Sequence, residues 1–536
     1  MTAPIEDMVF AIRAMGAENP AGGWNIEEVT RVLAAYAGFV DTKVGPSNAP
    51  GDREGCRVEN GRVRMPAQMP RLYREYVELG WHLLPLPANT GGVDAPDAVA
   101  AAASEMLSGA SHAFQMLVGL VPGAVRVIDS FGTPEQKARL LPDLASGAAL
   151  ATMCLTESGA GSDLGAIRTR GARTDDGGWT LTGEKIFISG GDQDLSEKII
   201  HLVLARTGSL EDGVRGLSLF ACPSERLDGT RNAVRVLRIE EKLGLHASPT
   251  CQLRFDAAQA HLLGEPGDGL RAMFVMMDHA RLDVALQGIA HAAHAHALAA
   301  EYAGIRVQGG AVIAEHADVR RMLWEMEALT LGGRAMAYRA AALSADADLA
   351  AFLTPVCKVF CSELSTNVAD LGIQVLGGFG YLTEYGMEQI WRDARVTRIY
   401  EGTNGVLAKT LVKRLLRGKE GAHAAAFLRE IDEASAAAAS EEAREGLQAV
   451  RHAWLEASAA ISGSATPELA AFALMQLTGL LFFCACWVRL EAAGDIAPDR
   501  GRVARLGRFV RAAHLPEAEA LRIRCGTLAT LGGNDG

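Results

Sequence analysis

The feature that most restricts this chain is a change of hydrophobic period, made twice. Residues 1 to about 150 read as helical with interruptions, residues 151–268 as short β-rich runs, and the helical period returns after Gly269. In the middle segment Trp179, Leu181, Gly183, Lys185, Phe187 and Ser189 share one parity, with Ile186 and Ile188 on the other. Runs at 199–205, 216–222, 233–239 and 250–255 repeat that pattern between turn residues, which predicts a small barrel or sandwich. Beyond it, Leu282, Leu286, Ile289 and Ala293 are spaced for one helix face. No repeat of 20–50 residues accompanies the switch, so the chain is not a solenoid.

The expected organisation is therefore mainly α with a central β domain. We place an N-terminal helical domain at 1–150, a middle β domain at 151–268, a helical bundle at 269–416 and an additional helical domain at 417–536. Pro46, Pro50, Gly51, Gly55 and Gly61 predict a loop ahead of a helix around residues 71–79. Thr133 followed by Pro134 predicts a helix start, with threonine as the cap and proline in the first turn. The last domain is alanine-rich, with breaks predicted near residues 462–467 and 494–498.

Composition excludes some functions. A chain of 536 residues with a formal net charge of −12 lacks the basic excess of a general nucleic-acid binder. Residues 421–536 carry 11 Lys and Arg against 14 Asp and Glu, so no basic face is evident there. The nine cysteines form no CxxC pair, which predicts reduced, mostly buried thiols. No secretory signal is read at the start and no sorting address at the end, so a cytoplasmic location is expected. Residues 469–488 are about long enough to span a bilayer, yet Gln476 and Thr478 interrupt them. We read that stretch as a helix buried in a bundle and expect no membrane partner.

Three glycine-rich segments hold the candidate chemistry. Met153-Cys-Leu-Thr-Glu-Ser-Gly-Ala-Gly-Ser-Asp163 opens the β region, with Thr156 and Ser162 offering hydroxyls beside backbone that can approach a ligand closely. Its spacing is not that of a dinucleotide fingerprint, and a tight loop with no ligand would look similar. Gln374-Val-Leu-Gly-Gly-Phe-Gly-Tyr381 is the second. The third is Trp391-Arg-Asp-Ala-Arg-Val-Thr-Arg-Ile-Tyr-Glu-Gly-Thr-Asn-Gly405. There Thr403 serves as a plain helix cap in one reading, while Glu401 is a positioned base in the other.

Taken together, and in this order, these segments resemble the acyl-CoA dehydrogenase superfamily over residues 70–416. Further likeness to a long subfamily that includes 3-methylmercaptopropionyl-CoA dehydrogenases lies in Ala3-Pro-Ile-Glu-Asp-Met-Val-Phe10, Lys185-Ile-Phe-Ile-Ser-Gly-Gly-Asp-Gln-Asp194 and Glu241-Lys-Leu-Gly-Leu-His-Ala-Ser-Pro-Thr-Cys251. The resemblance implies an N-terminal helical domain, a middle β-barrel, a C-terminal four-helix bundle and the extra helical domain. It implies FAD as cofactor, an acyl-CoA substrate, an electron-transfer flavoprotein as electron acceptor, and a homodimer or tetramer.

By the same resemblance Glu401 is the catalytic base, its N–H helping to polarise the thioester carbonyl, with Gly402 beside the substrate. Met153, Leu155, Thr156, Phe187, Ile188 and Ser189 would line the flavin, and Thr403 would contact it. Gln374, Gly377 and Gly378 would form the adenine-side loop. Arg306 and Gln308 would reach the FAD diphosphate of a neighbouring subunit, with His316 nearby. Ser162, Asp278 and Arg281 would hold the CoA moiety. One carboxylate and one hydride acceptor suffice for the reaction, since no side chain accepts hydride.

Some positions depart from that pattern. Gly309 stands where relatives carry phenylalanine, and Gly405 and Leu407 stand near places where polar residues often meet FAD. His291, His294 and His296 lack the acidic or histidine partner that a metal site needs on one helix face, so no metal is expected. An acyl-CoA oxidase, a DNA-associated stress-response flavoprotein of the same superfamily, and a relative that has lost catalysis are the competing readings.

Overall fold

The computed structural model describes residues 3–17, 23–416 and 418–531. The chain forms two compact units. One comprises Met1–Gly38, Pro96–Gly109 and Arg281–Gly536; the other comprises Phe39–Ala95 and Ala110–Ala280.

The second unit is built on the β region. Its strands are Ala149–Cys154, Arg170–Arg173, Trp179–Ser189, Lys198–Arg206, Leu217–Pro223, Val234–Ile239 and Thr250–Leu263. Trp179–Ser189 pairs antiparallel with Thr250–Leu263, which pairs with Leu217–Pro223, which pairs with Lys198–Arg206. Arg170–Arg173 returns from Lys198–Arg206 to Trp179–Ser189 and closes the ring. The sheet is thus a barrel, and closure leaves those central strands no free edge. Ala149–Cys154 adds in parallel to Lys198–Arg206, whose residues 199–206 are all buried.

The expected alternation along Trp179–Ser189 breaks at a bulge. Lys185 faces Leu253 and Ile188 faces Cys251, so two residues on one strand oppose one on the other. After the bulge the parity shifts: Ile188 is buried and Phe187 is exposed.

The helices of this unit follow local rules. Thr133 caps Pro134–Ala145 in a full capping box, its Oγ1 accepting from the Gln136 N–H at 3.3 Å while its own N–H donates to Gln136 Oε1 at 2.9 Å. The loop expected at Pro46–Gly51 is instead the helix Gly45–Glu54. A π turn over Val40–Val44 precedes it, and Pro46 falls in the first turn, where a missing N–H costs least. Asn60 and Gly61, both at positive φ, turn the hairpin between Arg57–Glu59 and Arg62–Arg64. That dipeptide is the usual type I′ signal.

The first unit is helical. Ala317–Ala342, Ala347–Leu376 and the C-terminal part of Gly269–Ile305 make its bundle, joined by Ala422–Ala436, Glu441–Ser462, Ala471–Ala492 and Arg500–Leu531. Breaks fall near residues 462–467 and 494–498 as expected, with one more at 437–440. The N-terminal helix Ile5–Ala14 belongs here because Asp7 pairs with Arg502 at 2.6 Å. Glu105 belongs here through a fully buried pair with Arg334 at 2.6 Å, to which Tyr338 Oη donates at 2.6 Å.

Among the described residues three helices, Asp97–Phe131, Ala347–Tyr381 and Ala471–Ala492, are long and apolar enough to cross a membrane, where the sequence singled out one. In the last, 89% of the most apolar 18-residue window is buried, against neighbouring helices. The nine cysteines are free, and all but Cys56 are buried. In the C-terminal helices Arg489, Arg502, Arg511 and Arg522 each pair with acidic residues.

Candidate active site

In the first unit the chain passes from a short turn at Arg395–Arg398 through residues 399–403 into the helix Asn404–Thr410. Glu401 has φ 55° and Gly402 φ 92°, two left-handed residues in succession. For a glutamate this conformation costs about 1–2 kcal/mol, so its surroundings must impose it. Thr403 does cap the next helix, its Oγ1 accepting from the Val406 N–H at 3.3 Å. Arg281 Nε donates to the Glu401 carbonyl at 3.2 Å, and Tyr400 Oη donates to Gln287 Oε1. Lys358 Nζ donates to the Gly402 carbonyl at 2.9 Å. The backbone on either side of the Glu401 side chain is therefore tied to two long helices.

Glu401 keeps partial solvent access as a residue, but its carboxyl is surrounded by protein. Burial raises that carboxyl to about 7; Arg281 and Lys358 oppose the rise in part, and Asp283 adds to it. The neighbouring Tyr400 hydroxyl is held well above its ordinary range, by burial first and then by Glu401 and Asp283. A carboxyl that titrates near neutral pH on a fixed turn is suited to general-base work.

The second unit presents a different assembly. Strand Ala149–Cys154 runs into Leu155 and the glycine loop. The fully buried Lys185 donates to the Leu155 carbonyl at 2.8 Å and to Glu157 Oε1 at 2.9 Å. Glu157 also accepts the N–H groups of Arg168 at 2.7 Å and Thr169 at 2.9 Å. Burial pushes the Glu157 carboxyl up, but Lys185 and these donors outweigh it and hold it below the usual range. The Ile186 N–H donates to the Thr156 carbonyl at 2.9 Å. Met153, Leu155 and Thr156 are thereby brought beside Phe187, Ile188 and Ser189.

Phe187 is the unusual member. It sits in the bulge at φ 59° with 60% of its surface exposed. A strained backbone that holds a large aromatic side chain outward has no stabilising role in the chain alone. The Thr156 backbone, tied to the Ile186 N–H, runs close to this residue in the chain. Ser162 stands on the exposed arm of the glycine loop, and Asp278 is also exposed.

Other expected residues gather in the first unit. Val307–Gln308 and Ala311–Val312 form a hairpin turned by Gly309 and Gly310, so glycine suits position 309 at its φ of 60°. His316 Nε2 lies 2.9 Å from the Gln308 carbonyl, and Arg306 stacks over Phe379 at 5.4 Å. That stacking brings Arg306 to the loop containing Gly377 and Gly378, where Gln374 is exposed. Leu407 packs inward under Gly402, while Gly405 faces solvent. His296 is flanked by Glu327, Arg502, Asp7 and Arg334, and it lies within helix packing.

Several residues around Glu401 escaped the sequence reading: Lys358, Asn404, Asp283, Gln287 and Glu363. One signal was available. Lys358 is a lone charge in the apolar run Pro355-Val-Cys-Lys-Val-Phe-Cys361, where a lysine must find a buried partner.

The helical, barrel and helical order, with a carboxyl held on an inter-helix turn, is that of an oxidoreductase acting on acyl-CoA thioesters. Sequence models of the acyl-CoA dehydrogenase N-terminal, middle and C-terminal domains match residues 26–148, 152–258 and 267–416. The chain belongs to the acyl-CoA dehydrogenase family. It is similar to 3-methylmercaptopropionyl-CoA dehydrogenase of Ruegeria pomeroyi, 40% identical over 445 residues, 77% of this chain and 76% of that protein. It is 33% identical over 463 residues to a broad-specificity linear acyl-CoA dehydrogenase of Mycobacterium tuberculosis, covering 77% of this chain and 75% of that one. The fold matches a Bacillus anthracis acyl-CoA dehydrogenase complexed with FAD, at a TM-score of 0.79 and 23% identity. That match covers 95% of this chain and 89% of that chain, so the fold likeness extends into the C-terminal helices.

Proposed function

We propose that this chain oxidises an acyl-CoA to its trans-2-enoyl-CoA, with Glu401 as the base that removes the α-proton. The observation that carries the reading is the Glu401 carboxyl, raised to about 7 and fixed on its turn by Arg281 and Lys358. FAD, held by Met153, Leu155, Thr156, Phe187, Ile188, Ser189 and Thr403, supplies the hydride acceptor when bound. Arg306 and Gln308 reach the FAD diphosphate of a second copy, and Gln374, Gly377 and Gly378, whose loop Arg306 stacks over, line the adenine side.

The remaining chemistry belongs to the polypeptide. An α-hydrogen of a thioester is weakly acidic, so its removal needs donors aimed at the carbonyl oxygen, a role for the Glu401 N–H. Entry of an apolar acyl chain displaces water and favours the neutral carboxylic acid that results from proton transfer. Ser162, Asp278 and Arg281 hold the CoA, and Gly402 lets the acyl portion approach the turn. The likeness to the Ruegeria enzyme favours a short or methylthio-substituted acyl group, and an electron-transfer flavoprotein as acceptor is in keeping with the family. We place the protein in the cytoplasm as a homodimer or tetramer.

The test is anaerobic titration of the purified flavoprotein with saturated and methylthio-substituted acyl-CoAs, followed at the flavin absorbance band. Bleaching by one chain class is expected, and Glu401→Gln should abolish it while retaining FAD. Bleaching at the wild-type rate in Glu401→Gln would remove the assignment of the base.

A further inference from the structure

The helix Ala347–Leu376 reaches the turn that carries Glu401 from both sides. Lys358, fully buried, donates from Nζ to the Gly402 carbonyl at 2.9 Å and to Asn404 Oδ1 at 2.7 Å. Asn404 Nδ2 in turn donates to Ser362 Oγ at 3.0 Å and to Glu363 Oε1 at 2.7 Å. Glu363 also accepts from Arg398 Nε at 2.9 Å and pairs with its other nitrogen at 2.5 Å. Residues 358, 362 and 363 of one helix thus grip Arg398 ahead of the base and Gly402 and Asn404 behind it.

Bracing a carbonyl and an amide needs only a neutral donor. Burying an ammonium for that purpose costs several kcal/mol unless a charge answers it. Lys358 lies within the field of Glu401, Arg281, Glu363 and Arg398. Glu363 is already engaged by Arg398, and the two arginines repel the ammonium. Glu401 stands one residue before the carbonyl that Lys358 holds and feels Arg281, Lys358 and Asp283, so it is the acid on that turn placed to answer the charge.

We infer that Lys358 is the positioning residue of this reaction: it fixes the turn carrying Glu401 and supplies a positive charge against which that carboxyl ionises. The inference rests on Glu401 being the base. Burial lowers Lys358 to about 7, with Glu401 opposing, so each group favours the charged form of the other. The two titrate as a pair.

The experiment compares holoenzyme of the wild type, Lys358→Met, Lys358→Arg and Glu401→Gln. Turnover is measured across pH with straight-chain acyl-CoAs from butyryl to palmitoyl and a ferrocenium acceptor. In parallel, the infrared carboxyl band of Glu401, identified by its loss in Glu401→Gln, is titrated without substrate. Lys358→Met should lower kcat by about tenfold or more with KM changed less than about twofold. It should also move both the acid limb of the pH profile and the infrared midpoint up by about one unit. Lys358→Arg should retain the wild-type midpoint.

An unshifted midpoint in folded, flavin-loaded Lys358→Met would overturn the inference and leave Lys358 as a brace alone. Should that variant lose its flavin, Lys358→Gln, which retains a donor without the charge, reads the midpoint in its place. A shifted midpoint in Lys358→Arg would equally overturn it. Undiminished turnover of Glu401→Gln sinks the base assignment itself; an active wild type with inert Glu401→Gln and unshifted Lys358 variants sinks only this inference.

Discussion

Arg281 donates from Nε to the backbone carbonyl of Glu401 at 3.2 Å, across 120 residues of sequence. The same cation that holds the turn also pulls the Glu401 carboxyl down against the effect of burial. By family resemblance Arg281 belongs with the CoA moiety. Its contact with the Glu401 backbone links a residue expected at the CoA to the turn that carries the carboxyl. Four measurements follow from this and related features.

The first concerns pH. The Glu401 carboxyl is raised from 4.5 to about 7, so kcat/KM should rise with pH through about 7 as the base ionises. Stability runs the other way. A group raised in the fold contributes stability that is fully present below its unfolded value and is lost as pH rises through its folded value. Glu401→Gln, neutral throughout, should therefore melt higher than wild type at about pH 8, with the gain absent at about pH 4. Thermal scans at the two pH values check this, and a gain larger at low pH would contradict it.

Phe187 tests the flavin surface. Its side chain is 60% exposed, so Phe187→Ala should change the stability of the flavin-free protein by no more than about 0.5 kcal/mol. Loss of an aromatic contact should weaken FAD binding by up to about tenfold. Flavin fluorescence on dilution gives the dissociation constant. A large drop in apoprotein melting temperature with unaltered FAD affinity would assign Phe187 to folding instead.

The buried pair Glu105–Arg334 ties residues 96–109 to the bundle, with Tyr338 donating to the same carboxylate. Arg334→Met leaves Glu105 charged without its partner and should cost about 3–5 kcal/mol. The double variant Glu105→Leu with Arg334→Met removes both charges and should recover much of that loss. Urea unfolding followed by helix content measures the difference, and a double variant no more stable than the single one would mean that packing dominates.

Gly332 of Ala317–Ala342 packs directly against Phe483 and Trp487 of Ala471–Ala492. A Cβ there would lie 2.3 Å from Phe483 Cε2 and 2.4 Å from Trp487 Nε1. Gly332→Ala should destabilise by about 1–3 kcal/mol through overpacking, and Phe483→Leu in the same chain should relieve part of it. Equal melting temperatures for Gly332→Ala and wild type would show that the helices are free to part there.

The sequence by itself determined what is local. The switch from helical to alternating period placed five strands of the sheet, but not Ala149–Cys154 or Arg170–Arg173, whose short runs between turns carry no alternation to read. Thr133 and Pro134 started a helix through backbone geometry alone, and Glu401-Gly-Thr403 was legible as a turn because glycine and a capping residue flank the glutamate. The tertiary structure decided what depends on partners distant in sequence. Whether the Glu401 carboxyl titrates as a base depends on burial and on Arg281, Lys358 and Asp283, which no spacing rule brings to it. The bulge that turns Phe187 outward is set by register against Thr250–Leu263, and Pro46 entered a helix in its first turn, directly after the π segment Val40–Val44. Residues 96–109 joined the bundle because a buried glutamate needs its arginine. Period, caps and turns are properties of neighbouring residues; acidity, register and charge pairing are energies of contact, and they exist only once the chain has closed on itself.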